Sequence, residues 1–290
     1  MQDVKTKKEE VSKMEHFILN NGVLMPKVGL GVYNVKAKDE EALLGALRMG
    51  YRHLDTAAAY RNEELIARVL QKSGLNRSDI FITTKVWNAD LGKRTDRAFE
   101  SSLRKLQTDY IDLYLIHWPA KNYLESWRIM EKLYQEGKIR AIGVSNFEQH
   151  HLEKIMQHGM TIPSVNQIQT NPFLQQVKLH EYMSKHGIQH VAWGPFGQGN
   201  KHMLSHPVLS EIAAKYQKTV GQVILRWNIQ RNIAVIPKST NPVRLQQNLE
   251  IFDFSLSDIE MNNISAIDQN KRGFLDPNNN LFLWATRFIR

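Results

Sequence analysis

Residues 80–119 read IFITTKVWNADLGKRTDRAFESSLRKLQTDYIDLYLIHWP and contain one whole structural unit. Two short apolar runs, Ile80–Lys85 and Ile111–His117, flank an amphipathic stretch that begins near Thr95. Runs of this length suit strands buried on both faces, as in parallel sheets, and the helical stretch between them is the crossover that parallel strands need. The unit is βαβ. Each run also closes on a polar residue, Lys85 and His117, so both groups should emerge at the same edge of the sheet.

The same alternation extends in both directions, from about residue 28 to 251. Strands are predicted at Val28–Val32, His53–Asp55, Ile80–Lys85, Ile111–His117, Ala141–Ser145, Val165–Gln169, His190–Trp193 and Ala234–Ile236. Helices are predicted to begin near Asp39, Asn62, Thr95, Tyr123, Glu148, Val177, Thr219 and Pro242. Eight strand–helix units in about 220 residues match an α/β fold of the (β/α)8 TIM-barrel type. Upstream, HFILNNGVLM reads as a β-hairpin turning at Asn21-Gly22 that plugs the N-terminal face of the barrel. Two extra helices, near His206 and Ser257, read as insertions. No linker composition or internal repeat divides the chain, so residues 15–290 are expected to form one domain, C-terminal tail included.

Composition narrows the function classes. The chain has 290 residues, 42% of them hydrophobic, enough for a large core without staples. It has no cysteine, which rules out disulfides, thiolate nucleophiles and cysteine metal sites and fits a cytoplasmic protein. MQDVKTKKEEVSKMEHF is charged and lacks an apolar core; it reads as neither signal nor anchor, and residues 1–14 are expected to be a disordered tail. The formal net charge of +9, from 38 Lys plus Arg against 29 Asp plus Glu, favours anionic partners. The tail sets four lysines against Asp3, Glu9 and Glu10, so the excess belongs to the body. No basic block is interleaved with aromatics, which argues against nucleic acid and for a small phosphorylated molecule. No membrane partner is expected.

Barrel enzymes place their sites at the C-terminal ends of strands. Asp55, Lys85, His117, Ser145 with Asn146, Gln167, Trp193 and Lys238 all fall at or near such ends. Singly, each has an ordinary explanation: a tyrosine at a helix entrance packs, a strand-end lysine is solvated, a histidine sits satisfied in the core. Jointly they form a proton-donor constellation. Reduction of a carbonyl by hydride leaves an alkoxide that needs a proton. Tyr60 is the candidate donor, with Lys85, oriented by Asp55, lowering its pKa and His117 polarising the carbonyl oxygen.

With these residues in place, the chain resembles the aldo-keto reductase superfamily from about His16 to Ile267. GYRHLDTAAAYRNEELIA is similar to the first family signature, KIRAIGVSNF to the second and IPKSTNPVRLQQN to the third. The likeness is greatest to bacterial diketogluconate and methylglyoxal reductases. It implies a catalytic tetrad of Asp55, Tyr60, Lys85 and His117, and NADPH or NADP+ lying across the barrel mouth without a Rossmann turn. Indeed, neither GLG at Gly29 nor GPFGQG at Gly194 fits G-x-G-x-x-G. By the same resemblance Ser145, Asn146 and Gln167 hold the carboxamide and Trp193 stacks on the nicotinamide. Lys238, Ser239, Thr240 and Arg244 clamp the 2′-phosphate, with Gln247 and Asn248 near the adenine. Tyr33, Trp87 and Trp118 line a pocket for a small carbonyl substrate.

Some positions depart from the family pattern. Ala67 stands where glycine is usual, Gly194 and Phe196 replace serine and leucine, and Gln169 and Asn171 replace an acid and a histidine. The Gly194 loop's pyrophosphate contacts are thereby in doubt. The loop between Pro119 and Tyr123 is short, which implies an open pocket. The tail FLDPNNNLFLWATRFIR is long and aromatic; Phe282 and Trp284 have three alternatives, over the pocket, on the barrel flank or in an oligomer contact. A monomer is expected, with a weak oligomer as the alternative. The competing functions are a cofactor-binding regulatory subunit, which the intact tetrad argues against, and a metal-dependent hydrolase, which the lack of an H-x-H pair or ligand cluster weakens. No metal is expected.

Overall fold

The computed structural model describes residues 15–272 and 276–286, so the expected tail at 1–14 lies outside the described residues. The hairpin comes first. Strands β1 (His16–Ile18) and β2 (Leu24–Pro26) pair antiparallel, with Ile18 opposite Leu24. Leu19 N donates to Val23 O at 2.9 Å across the turn. Gly22 takes φ +83° there, a left-handed value open to a residue without Cβ.

Eight strands then pair in chain order, each parallel to the next. They are β3 (Leu30–Gly31), β4 (His53–Asp55), β5 (Phe81–Val86), β6 (Ile111–Ile116), β7 (Ile139–Ser145), β8 (Val165–Gln169), β9 (Gln189–Trp193) and β10 (Ala234–Val235). A parallel bridge between Val28 and Val235 joins the last strand to the first. Along that seam Gly29 N donates to Val235 O at 2.8 Å, Val235 N to Lys27 O at 2.9 Å, and Gly31 N to Pro237 O at 3.2 Å. The sheet is therefore a closed (β/α)8 barrel. Closure needs a bare backbone at Gly31, because a Cβ there would stand 2.8 Å from Ile236 O.

The crossover helices are α1 (Glu40–Met49), α2 (Glu63–Ser73), α3 (Thr95–Leu106), α4 (Tyr123–Gln135), α5 (Gln149–His158), α6 (Val177–Lys185), α9 (Val220–Gln230) and α10 (Pro242–Leu249). Between β9 and α9 lie α7 (Lys201–Leu204) and α8 (Pro207–Lys215); α11 (Asp258–Ser265) and α12 (Asn280–Ala285) follow α10. Local sequence explains several starts. Thr219 with Gln222 and Ser257 with Glu260 form reciprocal capping boxes that satisfy the first free N–H groups of α9 and α11. Strand ends differ from expectation by a residue or two; β5 is Phe81–Val86 and β6 stops at Ile116. Ladder hydrogen bonds set those ends, and hydropathy does not. Helices α7 and α12 are too short to leave a periodic signal.

Two apolar clusters follow from strand alternation. Leu113, Leu115, Ala141, Val165, Val191 and Ala234 pack inside the barrel together with Leu19 and Met25 of the hairpin segment, so the hairpin does plug the interior. Leu30, Leu54, Ile82, Ile116, Ile142 and Val144 face outward onto the helices.

Candidate active site

The alternation that packs the interior also aims the polar strand ends. On β6, Leu113 and Leu115 point inward while Tyr114 and Ile116 point outward, so the next inward position is His117. The same count of two leads from Phe81 to Lys85, Ala141 to Ser145, Val165 to Gln167 and Val191 to Trp193. On β4 the outward Leu54 leaves Asp55 inward. The period of the strand, not the loops, gathers these groups at one mouth.

At its centre Lys85 Nζ donates to Asp55 Oδ1 at 2.5 Å and to the Thr56 carbonyl at 2.9 Å. The two side chains are 0% and 2% exposed. Asp55 Oδ2 accepts from Gln167 Nε2 at 2.6 Å. Because β4 and β8 are four places apart in an eight-stranded barrel, that bond spans the mouth. Tyr60 closes a 3-10 turn (Ala58–Tyr60), and Lys85 Nζ lies 5.2 Å from its ring centroid. The Tyr60 and His117 rings meet edge to face, with centroids 5.6 Å apart. Trp87 packs on His117 at 5.1 Å and Tyr33 on Tyr60 at 5.1 Å. The four expected catalytic residues and two of the expected wall residues thus share one cluster; Trp118, next to His117, is buried.

The electrostatics correct one expectation. Lys85 was expected to lower the pKa of Tyr60, yet the phenol is held well above its ordinary value, first by burial and then by the charge of Asp55 and by Tyr33. The ammonium is spent on Asp55 and Thr56, and the adjacent carboxylate offsets its field. Tyr60 nevertheless keeps part of its surface open to the mouth. It stays protonated through the neutral range, as a donor must. Burial lowers the pKa of Lys85, with Asp55 opposing that effect. Burial and the charge of Lys85 hold His117 well below the usual imidazole value, so its ring is neutral. Its Nδ1 has no hydrogen-bond partner among the described residues.

Four supporting side chains were not anticipated. Thr56 Oγ1 donates to Asn62 Oδ1 at 2.6 Å, and Asn62 Nδ2 donates to Val32 O at 2.8 Å. Thr84 Oγ1 donates to buried Glu63 at 2.7 Å. These bonds fasten the turn that carries Tyr60 to β5 and to the chain just after β3. In sequence Asn62 reads only as a helix opening, yet its side chain makes no capping bond.

The residues expected to hold a cofactor fall into two groups. In the first, Asn146 takes φ +63° after β7, and its Nδ2 donates to Ser145 Oγ and to His117 O, both at 3.0 Å. Ser145 Oγ donates to Gln167 O at 2.9 Å, and Trp193 Nε1 to Asn146 Oδ1 at 2.8 Å. In the second, after β10, Lys238 and Arg244 are exposed, Thr240 and Gln247 are half-buried, and Ser239 and Asn248 are buried. Ser239 Oγ accepts from Asn241 N at 3.1 Å, and Asn241 caps α10 by accepting from Arg244 N at 3.1 Å. Asn248 Nδ2 is buried with no partner among the described residues. Gly194, where serine is usual, has φ +61°, a conformation that disfavours any side chain.

At the C-terminus, the side chain of Phe282 lies outside the described residues, as do residues 273–275 and 287–290. Trp284 is 56% exposed, whereas Leu283 joins the outer core cluster. Asn88 Nδ2, one residue past Trp87, donates to Thr286 Oγ1 at 2.7 Å, which ties α12 to the loop after β5 at the site's own face. Among the described residues no group of three or more His, Asp or Glu could hold a metal, and no helix is long and apolar enough to cross a membrane.

The sequence pattern of the Aldo/keto reductase family matches residues 27–269. The chain belongs to this family. The reductase is 48% identical to a glyoxal reductase of Bacillus subtilis over 91% of its own length and 96% of that protein's. It is 44% identical to the methylglyoxal reductase DkgA of Escherichia coli (strain K12), over 89% and 95% of the two chains. Among solved structures, an aldo-keto reductase of Bombyx mori in complex with NADP superposes with a TM-score of 0.85 at 35% identity, covering 91% of this chain and 95% of that one.

Proposed function

We propose that this reductase converts small aldehydes, dicarbonyls such as methylglyoxal, or keto sugars to alcohols, with NADPH as hydride source and Tyr60 as proton donor. The carrying observation is the buried Lys85–Asp55 pair beside a protonated Tyr60 that meets a neutral His117 edge to face. A neutral imidazole can donate N–H to a carbonyl oxygen without giving up a full proton. Tyr60, kept protonated by its raised pKa, carries a phenolic proton that it can pass to the developing alkoxide. Tyr33, Trp87 and Trp118 supply an apolar wall that excludes water.

The chain's donors suit the cofactor. Bound NADPH supplies the hydride. Ser145, Asn146 and Gln167 would hold its carboxamide, and Trp193, oriented by its bond to Asn146, would stack on the ring. Exposed Lys238 and Arg244, with Ser239 and Thr240, offer the cations and hydroxyls that a phosphate monoester needs, with half-buried Gln247 and buried Asn248 near the adenine. The similarity to glyoxal and methylglyoxal reductases, and to a reductase solved with NADP, supports this choice.

The test follows NADPH absorbance with glyoxal, methylglyoxal and aromatic aldehydes for wild type and Tyr60→Phe. Turnover by the wild type and a fall of roughly 10²–10⁴-fold in kcat for Tyr60→Phe, with NADPH binding kept, are expected. A wild type that binds NADPH but reduces no carbonyl of the panel would make the chain a cofactor-binding regulatory subunit.

A further inference from the structure

The hydrogen bond from Gln167 Nε2 to Asp55 Oδ2, 2.6 Å long and buried at both ends, joins two groups otherwise given separate tasks. Asp55 has two carboxylate oxygens. Oδ1 takes Lys85 Nζ at 2.5 Å, and Oδ2 takes the Gln167 amide. The carboxylate is thereby clamped between a cation on β5 and a neutral donor on β8. Gln167 is itself fixed at its backbone, where its carbonyl accepts from Ser145 Oγ at 2.9 Å. Ser145 Oγ accepts from Asn146 Nδ2 at 3.0 Å, and Asn146 Oδ1 accepts from Trp193 Nε1 at 2.8 Å. Hydrogen bonds on the backbone and on the side chain of Gln167 therefore link Trp193 on β9, through Asn146 and Ser145, to Asp55 and the lysine beside Tyr60.

We infer that Gln167 is a positioning residue for the Lys85–Asp55 pair, holding the Asp55 carboxylate oriented so that its other oxygen stays on Lys85 Nζ beside Tyr60. The role is distinct from contact with a carboxamide. Its kinetic consequence rests on the carbonyl-reductase reading above; its electrostatic consequence does not.

The physical reason is the cost of a buried carboxylate. Asp55 is 2% exposed, and a carboxylate oxygen left without a donor in so dry a site costs free energy. Without the Gln167 amide the carboxylate loses one of its fixed partners and can turn away from Nζ, so that Lys85 loses the contact that opposes its burial. Burial already works against the charge on Lys85, and Asp55 is what opposes it. Weakening Asp55 therefore lowers the lysine's titration.

The test is carried out on the full chain without added cofactor. Protein labelled with 13Cε-lysine is titrated, and the Lys85 resonance, assigned by its loss in Lys85→Arg, is followed in wild type, Gln167→Met and Gln167→Asn. Met keeps the length but has no donor; Asn keeps the amide but falls one methylene short, and it serves if the Met variant does not fold by circular dichroism. The Lys85 midpoint is expected to fall by about one pH unit, the scale of one hydrogen bond to a charged group. In an Asp55→Asn background Gln167→Met should produce no further shift. An unchanged midpoint in the folded variants, or the same shift in the Asp55→Asn background, overturns the inference. Kinetically, Gln167→Met should lower kcat at saturating NADPH; a residue that only gripped the carboxamide would raise the NADPH Kd and leave the Lys85 midpoint alone. Failure of the wild type to reduce any carbonyl would strike the functional reading, while the titration decides the role of Gln167 by itself.

Discussion

Replacing Asp55 with asparagine removes one charge from a pair in which neither partner reaches water. Lys85 would keep the Thr56 carbonyl at 2.9 Å but lose its counter-ion. Breaking a buried ion pair by removing one partner costs about 3–5 kcal/mol. An independent ceiling comes from letting the lysine discharge instead. Moving it from a reference pKa of about 10.4 to neutrality at pH 7 takes ~3.4 units at ~1.36 kcal/mol each, or about 4.6 kcal/mol. The two estimates agree, so Asp55→Asn should cost about 3–5 kcal/mol at pH 7 and lower Tm by on the order of 10 °C. The sign of the pH dependence is fixed. With its folded pKa lowered further, Lys85 in the variant binds fewer protons folded than unfolded. Variant stability therefore rises with pH, by up to about 1.4 kcal/mol per unit, relative to wild type in the window between the two folded Lys85 values. Urea unfolding of both proteins, read by tryptophan fluorescence from pH 7 upward, measures this directly. A variant as stable as wild type at pH 7, or a stability gap that does not narrow as pH rises, would refute the claim that the pair is a buried, charged pair.

Three further outcomes are expected. Lys238→Ala and Arg244→Ala should weaken NADPH at least tenfold and NADH little, measured by fluorescence titration; equal losses would remove the 2′-phosphate assignment. Gly31→Ala should cost about 1–3 kcal/mol, because its Cβ would meet the Ile236 carbonyl at 2.8 Å at the closing seam; unchanged urea stability would show that the seam yields. Since the Tyr60 hydroxyl is held above its ordinary value, kcat for reduction should not fall from loss of the phenolic proton between pH 6 and about 9. A decline tracing to Tyr60 within that range, absent in Tyr60→Phe, would contradict the burial argument.

Asp55, Lys85 and His117 could be placed because each ends a strand-like run, and a period of two carries the inward phase onto them. Asn62 could not. Its partners are the Thr56 hydroxyl and the Val32 carbonyl, and a helix-opening asparagine looks the same whether it caps the helix or crosses to another strand. Nor could the tail be placed, since the bond from Asn88 to Thr286 joins residues 198 apart.

By itself the sequence determined the eight βα units, the face that carries the polar strand ends, and the residue types available for proton transfer, because hydrophobic periodicity and strand direction are local properties. Only the tertiary structure decided that the seam closes at Val28 and Val235, that Gln167 reaches across 112 residues to Asp55, and that Tyr60 is held above its ordinary pKa and not below it. The physical reason is common to all three. Backbone closure, a hydrogen bond across the mouth and the balance of burial against charge all depend on distances between distant segments, which are set only when the barrel shuts.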